Sequence, residues 1–516
     1  MAHGLVLRMF IRKKENKSGS ISFHIIRKEG RKQILVKSLG SAKSAEAISK
    51  LDQRAQDELS GLLKQHTLDF SYEQDEKFIR QMLDNIHQIE VSGVELILGK
   101  LFNEIGFNAI KEPLFRHLVL CRICYPGSKL KTIEYLLRHH QLFYDIDAVY
   151  RYLDKLNNKH KEQLQDISYK HTLSLFKGKL SILFYDVTTL YFEASDEDDL
   201  RKIGFSKDGK GQHPQIVLGL LVSTEGYPLA FEMFEGNMFE GKTMLLVVEK
   251  FKQKYELENI VVVADAGLLS NENTEALIKL RYQFILGARI KNESNALQKT
   301  ILSVKWINGQ TKCYTKSEEI NLIVSYSDAR AQKDKYNREK GLKRLEKAIK
   351  TGKLTKQQIN NRGYNKYLKL EGDIHIKIDY EKYYADSKWD GLKGYITNAK
   401  LSADEVINNY KQLWQIEKAF RISKTDLKVR PIYHRLKHRI QAHLIIAFSS
   451  YKVYKELERQ LYLKQSSISI TKAIAIIMQS IFTIKTTLPM SKKHAAIIWA
   501  KTEEQKQLLN LFEIKF

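Results

Sequence analysis

Two aspartates stand where apolar runs break off. Ser181-Ile-Leu-Phe-Tyr-Asp186-Val-Thr-Thr-Leu190 places one carboxylate at the end of an apolar stretch, and Val261-Val-Val-Ala-Asp265-Ala-Gly-Leu268 does the same. An acid just past a buried strand sits at the carboxyl edge of a sheet, where α/β proteins build their sites. Gly267 lets the backbone turn sharply beside the second acid. Either aspartate could equally be the N-cap of a following helix. A third element is the helix-prone stretch from Tyr410 to Lys424. Tyr410, Trp414, Glu417, Arg421 and Lys424 recur at intervals of four and three, which stacks them on one helical face. A stripe of acid, base and aromatic suits a site for phosphate and metal, with Glu417 as ligand and Arg421 and Lys424 on phosphates. The plain alternative is an exposed Glu417–Arg421 pair, of little energetic consequence. Just downstream, Lys428, Arg430, Arg435, Lys437 and Arg439 occur without an acid, with His434 and His438 among them. This is either a track for a DNA backbone or a solvated basic loop and helix.

The charge of the whole chain favours a polyanionic partner. Of 516 residues, 85 are Lys or Arg and 60 are Asp or Glu, a net charge of +25. Nucleic acid is the leading candidate, because the positive charge is spread along the chain instead of gathered on one amphipathic helix as a membrane surface would need. No stretch approaches the ~18–20 apolar residues of a membrane span. Three cysteines rule out a disulfide framework. Cys121-Arg-Ile-Cys124, with His117 nearby, has no second pair at zinc-finger spacing and reads as buried thiols on a helix. At the N-terminus charge follows the apolar residues, the reverse of a signal peptide, so the expected location is the cytoplasm.

Elements that could position these groups follow from patterning. Residues 1–42 form a small basic β segment, with strands expected at Val6–Ile11, Ile21–Ile26 and Gln33–Val36. Residues 43–175 are mainly helical, with helices over Ser44–Lys64, Val94–Leu120, Lys129–His139 and Asp147–Leu156. The last two could form a DNA-reading pair or an ordinary packed bundle. Residues 176–290 alternate strands and helices: Leu180–Tyr185, a hairpin of Gln215–Val222 and Pro228–Phe234, a helix over Thr243–Tyr255, the strand Ile260–Ala264, a helix over Asn271–Leu280 and the strand Phe284–Gly287. That order implies a mixed sheet with helices on its faces. Residues 291–400 read as an insertion, because between Lys333 and Lys356 ten Lys/Arg meet three acids and only short strands (Leu322–Ser325, Ile374–Ile378) flank the run. Residues 401–465 are helical with Ser402 as cap, and 466–516 is helix-rich.

These residues resemble a known family. Tyr410-x2-Leu413-x3-Glu417-x6-Lys424 is similar to the Tyr-x2-Arg-x3-Glu-x6-Lys signature of bacterial insertion-sequence transposases with a DDE triad, the insertion-sequence-four superfamily. Leu413 stands where that family has arginine, and Arg421, one turn beyond Glu417, is the candidate replacement. Asp265-Ala-Gly-Leu resembles the family's second-acid motif and Phe184-Tyr-Asp186-Val-Thr-Thr its first. Between them, Gly226-x-Pro228-Leu229 and Phe234-x-Gly236-Asn237-x2-Glu240-x2-Thr243 also match, as does Asp390-Gly-x2-Gly394-Tyr-Ile-Thr397-Asn398 before the signature helix.

The resemblance implies a ribonuclease-H-like mixed-sheet catalytic domain with an inserted β/α domain, preceded by small β and helical DNA-binding regions and followed by a helical C-terminal region. Its triad would be Asp186, Asp265 and Glu417. The interval from the second acid to the third is nearly twice that from the first to the second, which suits an insertion before the glutamate. Glu193, Asp404, Glu405 and Asp426 are other acids that could serve. Three carboxylates without a His or Cys cluster favour hard ions, two Mg²⁺ or Mn²⁺, over zinc. Resemblance alone adds a homodimer on paired ends, hairpinned ends and a flipped base supported by Trp389. DNA contacts would come from Tyr410, Arg421, Lys424, Arg430, His434 and Trp389, to double-stranded element ends and target, in a bacterial, nucleoid-associated setting. Two further readings share the fold: a nuclease that cuts without joining, and a DNA-binding protein that lost catalysis, the latter kept open by Leu413.

Overall fold

The computed structural model describes residues 8–206, 209–257, 260–268, 270–352, 354, 359–360, 363–371, 375–488 and 491–516. The chain divides into two compact units, Met1–Ile89 with Thr483–Trp499, and Glu90–Phe482 with Ala500–Phe516.

The smaller unit begins with three antiparallel strands, β1 (Arg8–Glu15), β2 (Ile21–Glu29) and β3 (Lys32–Ala42). Each is longer than expected, and Val6 and Leu7 lie outside the described residues. Phe23 and Ile25 on β2 are fully buried beneath α1 (Ala45–Asp84), which contributes Ala55. Ser44 caps α1 by accepting from the Ala47 N–H. Lys13–Asp52 and Lys37–Glu58 pairs tie sheet to helix at 2.9 and 2.8 Å. The strand β4 (Ile86–Val91) follows.

In the larger unit the stretch Val94–Leu120 is not one helix. A π-helical turn over Val94–Gly99 runs into α2 (Lys100–Ile105), and Gly106 stops it by adopting φ 98°, a conformation that suits glycine. Helices α3 (Pro113–Cys124), α4 (Lys129–His140), α5 (Ile146–Lys155) and α6 (Asn158–Leu175) follow. Then come β5 (Ile182–Tyr191), β6 (Gln215–Ser223), β7 (Pro228–Glu235), α7 (Thr243–Tyr255), β8 (Val261–Ala264), α8 (Asn271–Lys279) and β9 (Gln283–Ala288). β5 is antiparallel to β6 and parallel to β8, and β8 is parallel to β9. The apolar runs of β5, β8 and β9 are buried on both faces, as inner strands under helices must be.

The segment expected as an insertion divides in two. After α9 (Asn295–Leu302), β10 (Thr311–Thr315) and β11 (Asn321–Tyr326) join the same sheet. Then α10 (Asp328–Lys350), β12 (Leu368–Glu371), β13 (His375–Ile378) and α11 (Tyr380–Ser387) gather around Leu345, Tyr367, Leu368 and Tyr383. Ile374, expected to start a strand, lies outside the described residues. The chain returns to the sheet with β14 (Leu392–Thr397), giving eight strands in the order β10-β11-β14-β9-β8-β5-β6-β7. The reading of 291–400 as wholly apart from the sheet is therefore corrected. The charged run of α10 masks short strands whose buried residues Leu322, Ile323, Val324, Tyr395 and Ile396 complete the core.

Helices α12 (Ala403–Lys411), α13 (Trp414–Thr425), α14 (Lys437–Leu463) and α15 (Ile470–Gln479) come next. The C-terminal segment is not purely helical. β15 (Phe482–Thr487) and β16 (His494–Trp499) join β4 in a three-stranded sheet, and α16 (Glu503–Leu511) ends the chain. The β-branched Thr483, Ile484, Thr486 and Thr487 favour the strand.

α14 is buried along most of its length and packs on α3, α5, α6 and β7. Burial, with Lys452 next in weight, lowers the His171 pKa to about 4. His443 is held well below the usual imidazole value by burial and the nearby Arg122 and Lys129 cations. The sign follows from linkage. The unfolded chain binds these protons near pH ~6.5 and the folded chain does not, so stability is full above that pH and falls as pH drops toward about 4. Unfolding midpoints between pH 7 and 4.5 are expected to decline steadily, with a shallower decline in His171→Gln.

Candidate active site

The parallel pairing of β5 and β8 decides where the two aspartates go. Tyr185 lies opposite Ala264, so the next residues, Asp186 and Asp265, stand side by side on neighbouring strands. Neighbouring strands run ~4.8 Å apart. Asp265 stands just past the end of β8, as the sequence predicts. Asp186 does not end its strand, because Val-Thr-Thr-Leu-Tyr carries β5 on to Tyr191. Among the described residues neither caps an α-helix: α8 is capped by Ser270, only a single 3-10 turn (Ala266–Leu268) follows Asp265, and no helix follows β5 directly.

The turn after Asp265 is held from three sides. Asp265 Oδ1 accepts from the Ala266 N–H at 2.7 Å and from the Tyr410 hydroxyl at 3.0 Å. Arg289 donates to the Ala266 carbonyl at 3.1 Å. The buried Asn273 amide donates to the carbonyls of Leu268 and Gly241 at 2.8 and 2.6 Å. Asp186 Oδ1 accepts from the Val187 N–H at 2.8 Å.

Tyr410 and Glu417 do not share one continuous helix. α12 ends at Lys411 and α13 starts at Trp414, with Gln412 and Leu413 between. A capping box of Ser402 and Glu405 starts α12, whose buried Val406, Ile407 and Tyr410 face the sheet. The Tyr410 ring meets Tyr395 edge-on at 4.9 Å, and the Lys393 ammonium lies 4.4 Å from its centre. Burial and the charge of Asp265 push the Tyr410 hydroxyl pKa up, which keeps it a hydrogen-bond donor.

α13 is oriented by its apolar stripe. Ile416, Ala419, Phe420 and Ile422 are buried against β5, β6 and α14, and Lys418 pairs with Glu458 on α14. That stripe leaves Glu417 and Arg421 exposed. Trp414 is 49% exposed, and Lys424 is half-buried in the last turn. No ion pair joins Glu417 to Arg421 among the described residues. Glu417 instead acts electrostatically, together with Asp265, on Lys393 and Tyr410. Burial, then Arg330, lowers the Lys393 pKa, while both acids oppose that. Glu417 and Asp265 thus act on the same two groups, and Asp186 stands beside Asp265 on β5. Among the described residues, no three acids, imidazoles or thiols are already gathered closely enough to cage an ion.

A cleft of about 540 Å³ opens beside Asp265. Arg289, Lys291, Arg330, Lys393, Trp389 and Tyr410 are on its walls. Trp389 is 8% exposed, its ring largely within the core beneath the cleft. Arg430 and His434 lie elsewhere, around a second cavity that Arg122 and Lys129 also line.

Residues 177–452, just over half of the chain, match the family described as Transposase DDE domain. The chain belongs to this family. The matched DDE domain spans β5 through most of α14 and holds Asp186, Asp265 and Glu417. Among solved structures, the chain is similar to the piggyBac transposase synaptic complex with hairpin DNA, at 8% identity and TM-score 0.38, covering 75% of this chain and 76% of that one. It is also similar to the Mos1 transposase paired-end complex with left transposon end, at 11% identity and TM-score 0.16, covering 34% and 58%. No curated protein matches it.

Sequence reasoning missed several residues of the DDE domain's cleft. Lys393 sits inside the Asp390–Asn398 motif and alternates with Tyr395 on one face of β14, a period-2 signal that could have flagged it. Arg289 follows β9 as Asp265 follows β8, so the same strand-end argument applies. Arg330 carries no local signal; only the fold brings it to the cleft. None of the described helices is long and apolar enough to cross a membrane.

Proposed function

We propose that this chain is a metal-dependent DNA transposase of ribonuclease-H-like architecture, from the bacterial insertion-sequence group with the Tyr-x2-Arg-x3-Glu-x6-Lys signature. The observation that carries the reading is the β5–β8 register, which sets Asp186 beside Asp265 within a DDE domain. The strand order β7-β6-β5-β8-β9, two antiparallel pairings followed by two parallel ones, supports the architecture.

Asp186, Asp265 and Glu417 supply only carboxylate oxygens, a donor set that fits Mg²⁺ or Mn²⁺. Two such ions, when bound, activate a water or 3′-hydroxyl and stabilise the leaving oxygen of an in-line displacement. Tyr410 fixes the Asp265 carboxylate by its hydrogen bond and positions it. Lys393, Arg289 and Arg330 attract the scissile strand into the cleft. Arg421 and Lys424 take phosphates along α13, and Arg430 and His434 extend that contact. Trp389 backs an unstacked base at the cleft floor. The partners are the double-stranded inverted repeats of the element and its target, bound by a homodimer in the bacterial cytoplasm on nucleoid DNA.

The test supplies purified protein with a duplex end carrying a pre-formed nick, a target plasmid, and Mg²⁺ or Mn²⁺. Joined product is expected. Hydrolysis without joining would mark a simple nuclease, and tight binding with neither product would mark a DNA-binding protein that no longer cuts.

A further inference from the structure

A second cavity of about 620 Å³ is lined by basic groups from chain segments far apart. Arg122 from α3, Lys129 and Lys131 from α4, and Lys428, Arg430 and His434 from the loop after α13 converge on it. No carboxylate lines it among the described residues. Arg122 and Lys129 are only 7% and 6% exposed, and neither has an ion-pair partner among the described residues. Burying cations this way is unfavourable unless an anion compensates them. His443 gives an independent sign. It is 6% exposed, its Nε2 donates to the Val429 carbonyl at 2.9 Å, and its Nδ1 is buried without a hydrogen-bond partner. The cations also act on the neighbouring imidazole: burial, then Lys129 and Arg122, lowers His434 to about 4.

The cavity is joined to the catalytic strand. The Ile432 N–H donates to the Tyr191 carbonyl at 3.1 Å, and the Arg430 guanidinium lies 5.9 Å from the Tyr191 ring centre. Tyr191 is the last residue of β5, the strand that carries Asp186. At ~3.3 Å per residue, ~17 Å of strand separates the two. With one phosphate per ~3.4 Å of helix axis on each DNA strand, that is about five nucleotide steps. Resting on the transposase reading above, we propose that this cavity seats a backbone phosphate of the bound DNA several nucleotides from the scissile one. Arg122 supplies a planar fork to the phosphate oxygens, and Lys129 supplies a point charge. The N-terminus of α4, capped by Ser128, adds partial positive charge.

The test compares the full chain with Arg122→Met and Lys129→Met by thermal unfolding, with and without inorganic phosphate, and by affinity for an end duplex over a range of salt. Phosphate is expected to raise the wild-type midpoint and to leave both variants unmoved. Without phosphate, the variants melt at or above wild type, because each has lost an unpaired buried charge. The slope of log affinity against log salt falls by about 0.9 per variant, and Lys129→Arg restores it. Should either methionine variant fail to fold, Lys131→Met and Lys428→Met on the exposed rim must each lower the slope. Unchanged slopes overturn the proposal. A phosphate shift with unchanged DNA slopes also overturns it, in favour of a site for free anions. Glu417→Gln leaves the phosphate-induced shift and the salt slope at wild-type values while stopping cleavage, so failure of the cavity and failure of the catalytic reading are distinguishable.

Discussion

Asp186→Asn, Asp265→Asn and Glu417→Gln are each expected to slow Mg²⁺-dependent cleavage of the element's ends by on the order of 10³-fold or more. Each change keeps the shape of the side chain and removes one anionic oxygen donor, so the loss falls on chemistry. Affinity for DNA stays the same or rises, because one like charge facing a polyanion has gone. Asp265→Asn retains the Tyr410 contact, since the amide oxygen still accepts. The three single losses are not additive: a site missing one acid has little left for a second change to remove. Gel-shift affinity and nicking rate, measured on the same preparations, separate the two effects. Cleavage at the wild-type rate by any one of the three variants removes that residue from the triad.

Gly287→Ala is expected to cost about 1–3 kcal/mol of stability, the usual range for overpacking a core, and to reduce cleavage with it. Gly287 lies on β9 beside the turn that carries Asp265. A Cβ there would collide with the Tyr410 hydroxyl and come within 3.0 Å of the Ala266 nitrogen and 3.1 Å of its Cβ. The strand has no room to retreat, since β8 and β14 pair with it on either side. The tyrosine must leave, and the carboxylate loses the donor that fixes it. Tyr410→Phe alone removes that hydrogen bond without displacing the ring, and is the milder change. In the Tyr410→Phe background Gly287→Ala meets no hydroxyl, so its penalty shrinks and only the Ala266 contact remains. A double-mutant cycle read by urea unfolding and by nicking rate should give a coupling of about 0.5–3 kcal/mol. Strict additivity would mean that Gly287 and Tyr410 do not share the space described.

Where local chemistry decides structure, the sequence was legible. Ser402 caps the helix it precedes, and α7 runs over the residues its pattern predicts. The runs Ile260–Ala264 and Phe284–Gly287 announce buried parallel strands, and Asp265 emerges from the first. Asp186 reads as a strand end because a charge usually stops an apolar run. Here the β-branched residues beyond it carry the strand on, and pairing with both β6 and β8 outweighs one half-buried carboxylate. The Tyr410–Lys424 stripe has helical spacing throughout, yet the chain breaks at Gln412–Leu413, because Tyr410 must turn inward to Asp265 while α13 follows its own apolar face. Leu413, standing where the family signature carries arginine, is 6% exposed and packs in the interior. Arg122 and Lys129 gave no signal, since they meet Lys428 and His443 only through the packing of α3, α4 and α14.

The order in which a ribosome delivers these parts has its own outcome. Glu417 is added long after Asp265, and at ~5–20 residues per second the interval lasts roughly eight to thirty seconds. In that window the nascent polypeptide lacks Glu417 and also α14, so α3, α5, α6 and β7 wait for the helix they pack on until the chain is nearly complete. A copy ending before α13 would lose α14 as well and leave those apolar faces bare, so it is expected to aggregate. Early termination therefore costs the fold of the helical region as well as the third acid.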